Sequence, residues 1–154
     1  MQGIEMQPTI KLEGADELRK YLKKASDDHV KKVKAEVYAT ALEIRDQAIL
    51  NLKALEAWDT GHLATTVVVD RTNNGLGSEI GSTAPYAPYV EHGAKPHFPP
   101  PDALEDWARR HGFDSAWPIC LAISKRGIKA QPFLFPAFLS HVNEFFDRLK
   151  GIFK

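Results

Sequence analysis

The sequence lacks the features that mark several large classes of protein. It has a single cysteine, Cys120, so no disulfide can form within the chain. Its 20 basic and 20 acidic residues cancel, so the net positive charge typical of nucleic-acid or anionic-membrane binders is absent. No apolar run approaches the ~20 residues that a transmembrane helix needs. These absences argue against a membrane-spanning protein, a disulfide-stapled protein and a nucleic-acid-binding protein.

What is present is the composition of one folded domain. Hydrophobic residues make up 44% of the chain and charged residues 26%, as in soluble globular proteins. A chain of this length can bury roughly two-thirds of its unfolded surface, so we predict a single domain over residues 1–154. Because the N-terminus carries no basic segment followed by an apolar core, we expect the protein to be made and kept in a reducing cytoplasm.

The first part of the chain shows one strand pattern followed by helical patterns. Apolar residues at even positions predict an edge strand over residues 4–12, and Asp16 opens a short helix. Ser26 and the acidic residues after it predict the start of a long helix that ends between residues 55 and 58. The charged face of this helix, which lies opposite its apolar face, is predicted to be exposed to solvent. The apolar residues that predict its buried face are Val30, Val33, Val37, Ala41, Ile44, Ala48 and Leu52.

The segment Asp59-Thr60-Gly61-His62-Leu63 predicts a corner between this helix and a sheet. Its acid and hydroxyl favour turns, and its glycine is free to take a positive φ. The residues after it predict a strand over 63–71, a turn at 73–75 and a returning strand at 78–81. The fold class is therefore α+β, with a long N-terminal helix packed on a small, mostly antiparallel sheet, followed by short helices and a C-terminal helix.

Prolines dominate the second half of the chain. Nine of the ten lie in residues 85–136, which predicts short elements joined by rigid turns. We expect a helical turn over residues 86–93, an extended proline-rich loop over 93–101, a helical insert over 102–127 and a C-terminal helix that begins at Pro136. The apolar residues of that last helix are Leu139, Val142, Phe145, Phe146 and Leu149.

The insert is predicted to contain two short helices. Leu104, Trp107 and Ala108 lie on the inner side of the first, whereas the second is capped by Ser115 and ends at Gly127. For the aromatic residues near the proline-rich loop, the core is the favoured location rather than the surface. These residues are Tyr86, Tyr89, Phe98 and Trp107.

The triplet Asp59-Thr60-Gly61 also occurs in aspartic proteases, which raises the question of a catalytic role. Such a site needs a second carboxylate that shares one proton with Asp59, and a homodimer could supply it. In those proteases the triplet lies between apolar strands, whereas in this chain it follows a helix. We therefore favour a turn in which Asp59 accepts backbone N–H groups. A small hydrolase that uses Asp59 in a homodimeric site stays open as an alternative.

The other chemistry-bearing residues predict no enzyme, no metal site and no cofactor. Four histidines lack the paired spacing of zinc ligands, and Cys120 has no partner ligand. The sequence contains neither a nucleophile elbow nor a glycine-rich phosphate loop. Lys125, Arg126 and Lys129 form a small basic cluster, which keeps a nucleic-acid-binding adaptor open as a second alternative. The four histidines are His62, His92, His97 and His111.

Three segments in order carry a resemblance to a known family. They are Asp59-Thr60-Gly61-x-Leu63, Tyr86-Ala87-x-Tyr89-Val90-Glu91-x-Gly93 and Gln131-Pro132-Phe133-Leu134-x-Pro136-Ala137. Behind a long helix, this order resembles the tail-completion or head–tail joining (neck) proteins of long-tailed bacteriophages and prophages, typified by the lambdoid gene-product-ten-like proteins. The resemblance extends over nearly the whole chain. The chain departs from it at Thr65-Thr66, where a serine is common, and in a longer insert between residues 99 and 127.

The resemblance implies a small α+β subunit that acts at the neck or tail of the virion by assembly and without catalysis. Its implied partners are copies of itself in a ring, with six copies as the candidate number, and adjacent neck or tail proteins. It implies no membrane, and contact with DNA only as DNA passes through the ring. The implied location is the virion, and the host bacterial cytoplasm during assembly. The residues assigned to the structural motif are Asp59, Thr60, Gly61, Leu63, Tyr86, Tyr89, Glu91, Gly93, Pro132, Phe133 and Pro136.

The proline-rich loop is the predicted interface of this assembly. Rigid aromatic segments are enriched at protein interfaces, and rigidity lowers the ordering cost of docking. We predict that subunits form or join a ring through an edge strand or through this loop. The predicted interface residues are His92, Pro96, His97, Phe98, Pro99, Pro100 and Pro101.

Overall fold

The computed structural model describes residues 9–12, 27–55 and 59–154 of the chain. These residues form an α+β fold, as predicted. The elements in chain order are strand β1 (Thr9–Leu12), helices α1 (Asp27–Ala54) and α2 (His62–Thr65), strands β2 (Val67–Thr72) and β3 (Gly77–Ser82), and helices α3 (Ala87–His92), α4 (Glu105–Arg110), α5 (Trp117–Arg126) and α6 (Leu134–Ile152). Short 3₁₀ turns occupy Asn73–Gly75 and Pro101–Ala103.

The long helix α1 is confirmed at the predicted place. It begins with Asp27 and Asp28 in its first turn, where carboxylates favour the positive end of the helix dipole. Six of the seven predicted inward residues are buried, whereas Val30 is only partly buried. The predicted helix that opens at Asp16, and residues 4–8 of the predicted edge strand, lie outside the described residues. The buried residues of α1 are Val33, Val37, Thr40, Ala41, Ile44, Ala48 and Leu52.

The sheet has three antiparallel strands in the order β1-β3-β2. Ile80 in the central strand is fully buried, with Ile10 of β1 and Val69 of β2 as its register partners. This order leaves β1 at one edge of the sheet, as predicted. Helix α1 packs across β2 and β3, while α6 packs along α1 and reaches β1. The core therefore lies between the sheet and this pair of helices.

The corner after α1 differs from the prediction. Residues 62–65 form one helical turn instead of the start of a strand, because Gly61 turns the chain with a φ of 76°. The Thr65 and Thr66 hydroxyls donate hydrogen bonds to backbone carbonyls within this turn, each at 2.7 Å. Strand β2 begins only at Val67. The predicted hairpin turn at residues 73–75 is confirmed, with positive φ at all three residues.

Three expectations about the second half are wrong. Helix α6 begins at Leu134 rather than Pro136, because its first N–H groups have an acceptor elsewhere in the fold. Ala116, not Ser115, precedes helix α5, and its N–H donates to the Glu105 side chain. Trp107 is not an inner residue of α4, because fully buried Ala108 occupies the inward position.

The insert has a small hydrophobic cluster of its own. Ala108, Ala116 and Cys120 are fully buried there, and Leu104 and Ile119 pack against them. The thiol of Cys120 is free and buried. Among the described helices, none is long and apolar enough to cross a membrane.

Candidate functional site

Glu91 is a buried carboxylate that holds two of the three sequence segments together. Its side chain lies at the end of α3, where Oε2 accepts the backbone N–H groups of Phe133 and Leu134 at 2.8 and 3.0 Å. Its Oε1 accepts the N–H of Phe135 at 2.9 Å. These donors belong to the first turn of α6, whose N–H groups have no partner within the helix. Glu91 therefore supplies the N-terminal cap of α6 from outside that helix.

A close backbone contact closes the loop and the insert at their base. Ala94 and Ile128 form an isolated β-bridge, with N–H to carbonyl distances of 2.9 and 2.8 Å. Gly93 and Gly127 flank this bridge with φ values of 72° and 71°. A Cβ atom on either glycine would overlap the backbone of the opposite segment. Residues 95–126 therefore begin and end at adjacent points of the backbone.

The apolar members of all three segments meet in one core cluster. Leu63 comes from the first segment, Ala87 from the second and Phe133 from the third, and all three are buried. They pack with the second half of α1 and with Ile80. The three segments are therefore joined in space as well as in order.

Asp59 is paired with a cation from the insert. The Arg110 guanidinium donates to its carboxylate with Nη2 at 2.6 Å, and His111 Nε2 lies 3.7 Å from it. We expected Asp59 to accept backbone N–H groups, but the described residues show this side-chain pair instead. The Thr60 hydroxyl does accept a backbone N–H, from His62 at 3.3 Å. The arrangement fastens the insert to the corner after α1.

Two groups at this corner, the Asp59 carboxyl and the Tyr86 hydroxyl, have shifted pKa values. The hydrogen bond from Arg110 lowers the pKa of the Asp59 carboxyl, since it stabilises the ionised form. The pKa of the Tyr86 hydroxyl is raised, first by burial and then by the nearby charge of Asp59. Because the partner of Asp59 in the described residues is a cation, this geometry is not the shared-proton carboxylate pair of an aspartic protease.

The aromatic residues near the loop lie at the surface, so the expectation of a core location is wrong. Tyr86, Tyr89, Phe98 and Trp107 are between 36% and 53% exposed. The core position beside them is filled instead by small residues such as Ala87 and Ala108. Phe98 packs edge-on against exposed Trp117 of the insert, with ring centres 5.2 Å apart.

The other predicted site residues are dispersed. Most of the predicted interface residues are exposed, although Pro99 and Pro101 are partly buried. Pro132 and Pro136 are exposed on either side of buried Phe133. Within the described ranges no three His, Cys, Asp or Glu side chains could hold a metal ion together. Arg126 and Lys129 line an open groove together with apolar residues such as Ile123.

Sequence reasoning missed Arg110, Trp117 and Arg148. Arg110 and Trp117 belong to contacts across the fold, and no local spacing indicates them. Arg148 of α6 binds Glu36 and Glu43 of α1 at 3.2 and 3.0 Å. It also binds Glu144 one turn earlier in its own helix, at 2.7 Å, and this i, i+4 spacing was a usable signal.

The chain matches the model of the family described as "Bacteriophage HK97-gp10, putative tail-component" over residues 16–93. It belongs to this family of bacteriophage tail components. The matched half contains the first two segments and stops at Gly93, so the loop, the insert and the third segment of this tail component lie beyond it. No curated protein and no solved structure matches the chain. Membership makes the tail component a structural protein of the phage tail.

Proposed function

We propose that this tail component acts in head–tail joining or tail completion, through protein–protein assembly and without catalysis. The observation that carries the proposal is the exposed proline-rich loop, which the bridge between Ala94 and Ile128 holds at its base. A loop whose base is held in this way loses less conformational entropy when it docks than a free segment would. Exposed Phe98 of the loop, together with Trp117 of α5 on which it packs, supplies the rigid aromatic contact area that interfaces favour.

In this proposal the motif residues have two roles. Leu63, Glu91, Gly93 and Phe133 form the framework, because they are buried or closely packed. Tyr86 and Tyr89 are exposed and available to a partner. The framework and the C-terminal helix make up one domain over residues 1–154, on which residues 102–127 form an insert. Asp59 attaches that insert to the framework through Arg110.

The partners we propose are copies of this chain in a ring and the adjacent neck or tail proteins. Ring formation needs two different surfaces of the subunit, which face each other between neighbouring copies. His92 and the proline-rich loop that follows it supply one, and the edge strand β1 supplies the other. The subunit would enter the virion at the tail or neck after synthesis in the host bacterial cytoplasm, and six copies is the ring size to test.

The test is complementation of a phage or prophage that lacks this gene. Without the protein we expect separate heads and incomplete tails in electron micrographs of the lysate. Phe98→Glu should reproduce that defect, because it places a charge in the proposed interface. Leu50→Glu is the matched control, since Leu50 is an exposed apolar residue of α1 outside the loop. Normal infectious particles from the Phe98→Glu variant, or their formation without the protein, would refute the proposal.

A further inference from the structure

Helix α6 has a second apolar face that the described structure leaves largely exposed. Its core face includes Leu134 and Phe145, which pack against α1. A second row lies about 100° further round the helix, because that is the angle between successive residues. We name this row the α6 stripe; its members are Phe135, Leu139, Val142 and Phe146 of α6 and Phe153, which directly follows the helix.

Four of the five members of the α6 stripe are exposed, whereas Val142 is partly buried. Phe153 also stacks on His29 of α1, with ring centres 5.7 Å apart. Phe135, Leu139, Phe146 and Phe153 are 54%, 52%, 51% and 41% exposed. Charged residues are absent from the stripe. A helix that is apolar on its outer side as well as its inner side is typical of a helix buried on both sides. The second side is therefore expected to be covered by a partner.

The spacing of the stripe matches a helix as that partner. With Leu149 included, which is partly buried against the core cluster of Val33, Val37 and Phe145, its members are separated by four, three, four, three and four residues. This is the seam spacing of a coiled coil. The order of these spacings is also the same when read in reverse. A second copy of α6 that runs antiparallel therefore places Phe135 opposite Phe153 and Leu139 opposite Leu149, with small Val142 opposite large Phe146.

We propose that α6 packs antiparallel against α6 of a second copy of this chain, across a twofold axis near Glu144. The antiparallel direction opposes the two helix dipoles and pairs small Val142 with large Phe146 at the centre of the contact. Because a twofold contact uses the same patch on both subunits, it differs from the ring contacts proposed above and does not depend on them.

The exposed area of the α6 stripe is comparable with the apolar part of a standard interface. At ~200 Å² for each phenylalanine side chain, the three phenylalanines of the α6 stripe expose about 300 Å² per copy. Leu139 and Val142 add to this area. A standard interface buries roughly 800 Å² per partner, of which a little over half is apolar. The stripe therefore supplies most of the apolar centre, and the polar residues beside it supply the rim.

Sedimentation velocity of the purified full chain over a concentration series tests the pairing. We expect a dimer whose dissociation constant rises at least about tenfold in Leu139→Glu, because each copy contributes the altered residue. Leu50→Glu is the matched control, since Leu50 is 56% exposed and lies on another helix. Phe98→Glu should also leave the dimer intact, which separates this contact from the loop. A wild-type chain that stays monomeric at its highest soluble concentration overturns the proposal, as does equal weakening by Leu50→Glu.

Disulfide trapping tests the direction of the helices. Val142→Cys and Phe146→Cys are prepared as separate variants, and native Cys120 is buried and does not interfere. The antiparallel arrangement predicts a cross-linked dimer when the two variants are mixed and oxidised, and little in either one alone. A cross-link of similar yield within each single variant would indicate parallel helices and overturn the arrangement. Circular dichroism of each variant confirms that the fold is retained.

Discussion

The Glu91 carboxylate lies 2.8 Å from the backbone nitrogen of Phe133, a residue 42 positions further along the chain. The same carboxylate also binds the N–H groups of the two residues that follow. One buried acid thus fixes where the C-terminal helix begins and how it joins α3. The Asn51 side chain of α1 donates to the Phe133 carbonyl at 2.9 Å, so three helices meet at this point.

Replacing Glu91 should destabilise the protein strongly. In Glu91→Ala the N–H groups of residues 133–135 lose their acceptor in the interior, and we expect a loss of about 3 kcal/mol or more in unfolding free energy. Glu91→Gln keeps one acceptor oxygen and should cost less, about 1–2 kcal/mol. Urea denaturation followed by circular dichroism measures both. Asp147→Asn, at an exposed position of α6 with only a surface ion pair to Lys150, is the control, and an equal loss there would contradict the assigned role.

A methyl group beside the backbone bridge at the base of the insert should also destabilise the protein. Gly93→Ala and Gly127→Ala each strain a positive φ and force a Cβ against the opposite backbone, so each should lose more than about 1 kcal/mol. Gly112→Ala is the control, because Gly112 has a φ of +79° with nothing within 4 Å of the added carbon. Thermal unfolding should rank Gly112→Ala as the mildest of the three. If Gly112→Ala destabilises the protein as much as the other two variants, the positive φ alone, and not the overlap with the opposite backbone, is the cause.

Asp59→Asn should lower stability slightly near neutral pH, and this difference should vanish in acid. The folded pKa of Asp59 is lowered by Arg110, so its contribution is present above the unfolded value of 3.8. The contribution is lost as the pH falls through the lower, folded pKa. Melting temperatures of wild type and variant between pH 2 and pH 7 check this course. If the difference in melting temperature between wild type and variant instead widened as the pH fell, the ion pair would not be the cause of that difference.

The same Asp59→Asn variant also distinguishes our assignment of Asp59 from the hydrolase alternative. The hydrolase alternative predicts that Asp59→Asn loses enzymatic turnover and keeps its stability. Our assignment predicts a small loss of stability at neutral pH and no turnover to lose, because the described partner of Asp59 is Arg110.

Arg148 should stabilise the pairing of α1 and α6 in a salt-dependent way. Arg148→Ala leaves Glu36, Glu43 and Glu144 close together without their cation, so the melting temperature should fall. Salt should reduce the difference from wild type, because it screens both the lost attraction and the new repulsion. Arg148→Lys should be intermediate, since a single ammonium cannot reproduce the planar fork of guanidinium donors.

Melting temperatures of these variants at low and high salt provide the measurement. Arg109→Ala is the control, because Arg109 has only a 3.9 Å contact with a highly exposed aspartate. A drop at Arg148 that does not change with salt would argue that side-chain packing, rather than charge, is responsible.

Much of the fold follows from local patterns. The spacing from Val33 to Leu52 predicts α1, and Asn73, Asn74 and Gly75 predict the hairpin turn, because periodicity and positive φ are properties of neighbouring residues. The start of β2 was predicted four residues early. There the threonine hydroxyls bond to nearby carbonyls, and this local competition overrides β propensity.

Contacts between distant residues could not be predicted in the same way. Nothing in the order of residues indicates that Asp59 meets Arg110, or that Phe98 meets Trp117, since both pairs depend on how the insert folds back. The exposure of Tyr86 and Trp107 was also decided by packing. Their neighbours Ala87 and Ala108 fit the limited space inside, and the larger rings remain outside.

The sequence by itself determined the α+β class, the long helix, the edge strand and the resemblance that the family match over residues 16–93 supports. These properties depend on periodicity, turn chemistry and short segments, all of which are local. Only the tertiary structure decided that Glu91 caps α6 and that the α6 stripe faces outward. Which side of a doubly apolar helix is buried depends on the shape of the body it packs against, and no spacing of residues along the helix contains that information.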